Sequence, residues 1–250
     1  MRSSATRLRK YTFTISALLL LMQLAAICAH AQTQITRCGT SITTPGEYVL
    51  ANDLTNCSGY GIVISRAQDV VLNLAGHRIT GSPSPRKAGI FVQSSGARIL
   101  GPGVISNFTG ELASGVFTSA SVVEITGVTS TGNVVGFWLN GKVRAHGNIA
   151  NNNEDGFTTT AEGEFSDNLA SGNTQIGIDA NGDSHTLFLH NTAVFNGQYG
   201  IEMYQYATNK EIISNTALGN GAYDLFEGDR NCRNRWVDNT FGTANRPCIH

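Results

Sequence analysis

The chain has no surplus of positive charge. Seventeen lysines and arginines face 18 aspartates and glutamates, for a formal charge of −1. A protein that follows a phosphate backbone needs a basic stripe, so nucleic acid is excluded as a partner. Cys-x-x-Cys spacing is absent, which removes the zinc-ribbon class. Leucines do not fall at leucine-rich-repeat spacing, and the "GGxGxD" of calcium-binding nonapeptide rolls does not occur. Leu, Ala, Glu and Lys do not recur at helical spacing, so helical repeat arrays are excluded as well. After Ile27 there is no second long apolar run, which predicts a soluble mature chain without a transmembrane anchor.

What is present begins with an export signal. Arg2, Arg7, Arg9 and Lys10 precede an apolar run from Ile15 to Ile27 and the small residues of "AHAQ". That order predicts a signal peptide over residues 1–31, cleaved before Gln32, and a periplasmic or extracellular protein. Ile27 ahead of Cys28 argues against lipid attachment, which wants a small residue there. Loss of the four bases takes the formal charge from −1 to −5. Cys38, Cys57, Cys232 and Cys248 remain, two near each end, in an oxidising compartment. Four cysteines allow three connectivities, of which pairing by proximity, Cys38–Cys57 and Cys232–Cys248, is the simplest.

Between the cysteine pairs the chain repeats itself. A glycine followed by an apolar residue recurs at Gly61, Gly89, Gly115, Gly136, Gly156, Gly177 and Gly200, in steps of 20 to 28 residues, and Asp224-Leu225 stands eighth. Other columns run in phase. They are Asn148, Asn168, Asn191, Asn215 and Asn239; Asn133, Asn153, Asn173, Asn196 and Asn220; Ala150, Ala170, Ala193, Ala217 and Phe241; and Ala145, Phe165, Phe188, Ile212 and Trp236. Short Val-, Ile-, Phe- and Thr-rich segments lie between Gly and Asn punctuation, the pattern of strands joined by turns. Parallel strands cannot be joined by hairpins, and coiling solves that problem. The sequence therefore predicts one all-β domain, a right-handed parallel β-helix of about eight turns with disulfide-stapled ends. Residues 32–60 are read as an N-terminal cap, 61–228 as the repeats and 229–250 as a C-terminal cap. Apolar columns form the core. Asparagine columns occupy the bends, where Asn tolerates left-handed dihedrals and its amide can bond the next turn.

The run "CGTSITTPGEYVLANDLTNCSGYGIVISRAQDVVLNLAGHRITG", the later "GI" turns and the ending "NRWVDNTFGTANRPCI" resemble secreted bacterial right-handed parallel β-helix repeat proteins of the pectate-lyase-like fold. The resemblance implies the fold over most of the mature chain. Its relatives include pectate lyases, polygalacturonases, alginate epimerases, tailspike endoglycosidases and a copper-enzyme maturation protein, so it implies no single activity.

Candidate chemistry lies outside the core. If the residue after each glycine points inward, the next points outward. That line reads Val63, Phe91, Phe117, Trp138, Thr158, Asp179, Glu202 and Phe226, with Asn140, Asn181 and Tyr204 two residues further along their strands. Phe91, Phe117, Trp138, Asn140, Asn181 and Tyr204 make a candidate polysaccharide-binding strip, because aromatic faces stack on sugar C–H bonds and amides bond hydroxyls. Asp179 and Glu202, in adjacent turns, are the candidate catalytic pair of a lyase, epimerase or hydrolase, at a spacing of ~5 Å that suits a retaining glycosidase. Asp179, Ala180 and Asn181 match the Asp-Pro-His of alginate epimerases only at the aspartate. Asp179, Asn181 and Asp183 have the oxygen spacing that opens a calcium loop, which makes calcium the candidate cofactor. The competing reading is a non-catalytic scaffold of the cell envelope.

Overall fold

The structure is a computed structural model that describes residues 32–250, so the export signal lies outside the described residues. Residues 33–250 form one compact unit. It contains 24 strands, and among the described residues there is no helix, so none is long and apolar enough to cross a membrane. All strand pairings are parallel and link successive turns. One turn reads Asp155–Thr159, Glu162–Ser166 and Leu169–Ser171; the next reads Ile176–Ala180, Thr186–Leu189 and Thr192–Val194. The fold is a parallel β-helix.

Stacking gives each sequence column a physical place. Ile62, Ile90, Val116, Phe137, Phe157, Ile178, Ile201 and Leu225 lie in register with no more than 1% of their surface exposed. The line through Ala145, Phe165, Phe188, Ile212 and Trp236 forms a second interior wall, and Ala150, Ala170, Ala193 and Ala217 a third. Phe137 and Phe157 stack at 4.8 Å between ring centroids, Phe165 and Phe188 at 5.2 Å. Thr40–Ile42 lies beneath Ile62–Ile64 in register, so the coil has nine turns, one more than the glycine repeat counts.

The two asparagine columns are hydrogen-bonded ladders. In one, the backbone N–H and side-chain amide of Asn148 both donate to Oδ1 of Asn168, which repeats the pattern to Asn191, Asn215 and Asn239. Each amide also donates to a carbonyl of the preceding turn, as Asn168 does to Ala145. The expected dihedrals need correction. It is the residue before each ladder asparagine that is left-handed: Gly147, Asp167, His190, Ser214 and Asp238 have φ between 52° and 62°. That kink turns the chain, and the asparagine after it points inward to tie the corner to the next turn.

Both ends are closed by proximal disulfides, Cys38–Cys57 and Cys232–Cys248. Asp224, standing where the repeat has glycine, ends the second ladder. Its Oδ1 accepts from Asn220, and its Oδ2 from the backbone of Gly242 and Thr243. Glu227, fully buried, accepts from Asn234, Trp236 Nε1 and the Asp229 N–H, so its carboxyl oxygens are satisfied beneath the final turn.

Candidate functional site

One outward face gathers the residues that the alternation placed there. Val63, Phe91, Phe117, Trp138, Thr158, Asp179, Glu202 and Phe226 run in unbroken register across eight turns. Successive side chains on such a line are about 4.8 Å apart, the spacing of paired strands.

Its first half is aromatic. Tyr60 stacks on Phe91 at 5.0 Å, Phe91 on Phe117 at 5.1 Å, and Trp138 tilts against Phe117 at 5.5 Å. Phe91, Phe117 and Trp138 are each half-buried, with one surface left to solvent. Phe117 and Trp138 also line a cleft of about 300 Å³ whose other wall carries Arg86, Lys87 and Leu112.

The second half is acidic, and it holds three carboxyls rather than two. Asp155 joins Asp179 and Glu202. Burial pushes Asp179 up to about 7, against the lowering effect of the bond from Asn181, and the Asp155 charge adds to the rise. Burial also raises Glu202 to about 7, helped by the charges of Asp179 and Asp155. Asp155 is raised by burial as well, partly offset by the Ile176 N–H that donates to it. No Lys, Arg or His among the described residues forms an ion pair with any of the three. Asp179 Oδ1 and Thr158 Oγ1 are buried without a hydrogen-bond partner. Beyond Glu202, Tyr199 stacks on Phe226 at 4.5 Å and closes the line with a second aromatic group.

Strict alternation hides Asp155. A Cβ on Gly156 would meet the Ala170 and Asn173 side chains inside the coil, so Gly156 and Phe157 both face the core. The alternation slips at the glycine, and the residue before it emerges on the outer face. The same slip brings out Tyr199 before Gly200. The X-Gly position was therefore the signal to read.

The other predicted residues fare differently. Asn140 uses its amide within the protein, donating to the Thr118 carbonyl and accepting from Thr160. Asn181 donates to Asp179 at 2.9 Å, and Tyr204 is exposed at the end of its strand. Asp183 lies on an exposed turn where its charge acts on Lys210. The expected calcium trio of Asp179, Asn181 and Asp183 is thus joined only at its first two members. A second groove, of about 430 Å³, runs over another face, but Glu124, Arg144 and Glu164 alternate in sign in register along it.

Comparison with known proteins adds a family. Residues 73–246 match the family described as "Periplasmic copper-binding protein (NosD)". No curated protein matches the chain. Among solved structures, the crystal structure of pectate lyase Pel9A is similar over 87% of this chain and 80% of that one, at 13% identity and a TM-score of 0.45.

Copper finds no prepared site in the described residues. The thiols of Cys38, Cys57, Cys232 and Cys248 are held in disulfides, and Met203 is sealed in the core. No three His, Cys, Asp or Glu side chains among the described residues are grouped to hold a metal ion. His146 and His190 flank Asp167 at 3.4 and 3.9 Å, but each imidazole faces the carboxylate on an exposed bend. The residues present do not fit the group that the family name implies.

Proposed function

The chain belongs to the NosD family and is a periplasmic parallel β-helix protein; within that family we propose that it binds a polysaccharide along the outward face from Tyr60 to Tyr204. The observation that carries this reading is the unbroken register of stacked aromatics and carboxyls beside an open cleft. Sugars present C–H faces that stack on aromatic rings and hydroxyls that need both donors and acceptors. Phe91, Phe117 and Trp138 supply the first. The exposed Tyr204 hydroxyl and the half-buried Asp179 carboxyl supply the second, and burial, which raises Asp179 and Glu202 to about 7, keeps three full charges from lying beneath the ligand. Bond cleavage is no part of the proposal, because a retaining pair must open on the sugar and Glu202 is only 6% exposed.

A glycan array with the wild type and Trp138→Ala tests it. The wild type should bind at least one polysaccharide, and the variant should bind that one about tenfold more weakly or worse. Failure of the wild type to bind any acidic or neutral polysaccharide defeats the reading.

A further inference from the structure

The cleft beside Phe117 and Trp138 has a chemistry that stacking alone does not require. Its outer wall is made by two loops, 82–87 and 107–113, locked together. The Arg86 N–H donates to the Glu111 carbonyl at 2.8 Å. A Cβ on Gly110 would lie 2.2 Å from the backbone carbon of Ser84, so only glycine lets the loops approach so closely. Arg86 and Leu112 both take left-handed backbone, with φ of 55° and 56°. Such conformations disfavour ordinary side chains and persist where the surroundings enforce them. Here they set Arg86 and Lys87 at the rim of the cleft.

Neither cation has a carboxylate partner among the described residues, so both charges are free to meet a ligand. Lys87 holds its Nζ 4.7 Å over the Tyr60 ring, and Arg86 is exposed. Two adjacent cations thus share one cleft with Phe117 and Trp138, in a chain that is net acidic once its basic leader is set aside. A guanidinium offers a planar fork of donors that matches the two oxygens of an oxyanion, and an ammonium beside it adds a point charge.

We propose that this cleft is a subsite for an anionic sugar, whose ring stacks on Phe117 and Trp138 while its oxyanion, carboxylate or sulfate, meets Arg86 and Lys87. The inference rests on the reading of this face as glycan-binding, and it names the charge class of the ligand. Asp155 stands on the turn next to that of Trp138, and Asp179 lies two register steps from Trp138, about 10 Å away, so an anionic unit in the cleft is well separated from Asp179.

Calorimetry on the exported protein tests this with three series of oligosaccharides of equal length: uronate, sulfated neutral sugar and unmodified neutral sugar. At least one anionic series should bind about tenfold tighter than the neutral one at low salt, a margin that shrinks as salt is added. Arg86→Gln/Lys87→Gln should abolish that margin, bringing the anionic series to the affinity of the neutral one. Preference for the uronate alone, the sulfate alone or both identifies the oxyanion. Equal affinity for charged and neutral series overturns the proposal and leaves glycan binding standing. A margin that survives in the double variant overturns the placement. Failure of all three series to bind overturns the glycan reading and this inference with it.

Discussion

Asp179 keeps one carboxylate oxygen buried with no hydrogen-bond donor, between a threonine and a second buried acid. Its consequence for stability has a definite sign. Below about pH 4 the carboxyl is protonated whether the chain is folded or not, so it does not bias folding. As pH rises from there, the unfolded chain ionises while the folded protein keeps Asp179 and Glu202 protonated up to about 7. The native state then binds more protons, and stability must fall until the folded groups ionise too. Asp224, which is held low by its hydrogen bonds, acts in the opposite sense, but only below the ordinary carboxylate range. The urea midpoint should therefore drop between pH 5 and pH 8. Asp179→Asn should flatten the drop and exceed the wild type at pH 8 by about 1–2 kcal/mol. An equally steep fall in the variant would remove Asp179 as its source. Alternation in the sequence was enough to place Asp179 beside Glu202, because strand side chains simply switch faces. It was not enough for Asp155, because the phase slips where Gly156 and Phe157 both turn inward. The cations of the cleft were hidden for another reason: their position comes from the path of two loops, which carries no period.

At the scale of the element, the corner and the strand are specified together. A Cβ on Gly177 would lie 2.6 Å from both Nδ2 of Asn196 and the carbonyl of Gly200, and 3.2 Å from the Cβ of Ala193. Glycine, asparagine and alanine columns therefore share one crowded corner, and each constrains the others. This is why they repeat in phase, and why the period alone revealed the coil and its register. Gly147 sits at a left-handed bend where an added Cβ would find nothing within 4 Å, so it needs only backbone freedom. Gly177→Ala should thus cost more than Gly147→Ala, with the latter near 1 kcal/mol, about the usual penalty for such a conformation. Asn168→Ala removes the acceptor for both donors of Asn148 and the donor to Ala145 and Asn191, all of them buried. Stranding those groups should cost about 2–4 kcal/mol in chemical denaturation. A loss below about 0.5 kcal/mol would mean that the ladder contributes little. The sequence column located these asparagines correctly but misassigned the left-handed residue, since a side chain that bonds inward and a backbone that kinks just before it leave the same punctuation.

At the scale of the molecule, a coil whose turns contact only their neighbours is weakest at its ends. The C-terminal end is closed by chain rather than by another full turn. The Thr243 carbonyl accepts from the N–H groups of Asp224 and Leu225, and Asn245 Oδ1 accepts from that of Glu227, so this segment covers the open edge of Tyr223–Glu227. The Cys232–Cys248 disulfide closes a separation of 16 residues that includes Asn234 and Trp236, both donors to the buried Glu227. Chain-entropy arguments give a loop of that size about 3 kcal/mol, available only if the segment would otherwise be free to leave. Cys232→Ser/Cys248→Ser should therefore act locally before it acts globally. Hydrogen exchange should quicken first in Tyr223–Glu227 and Arg235–Val237, while Asp155–Thr159 and Ile176–Ala180 keep their protection. The uncovered strand edge should then recruit other chains, seen as concentration-dependent association in sedimentation. Loss of protection spread evenly along all nine turns would instead make the coil a single cooperative unit, with the disulfide acting on the whole of it rather than on its last edge.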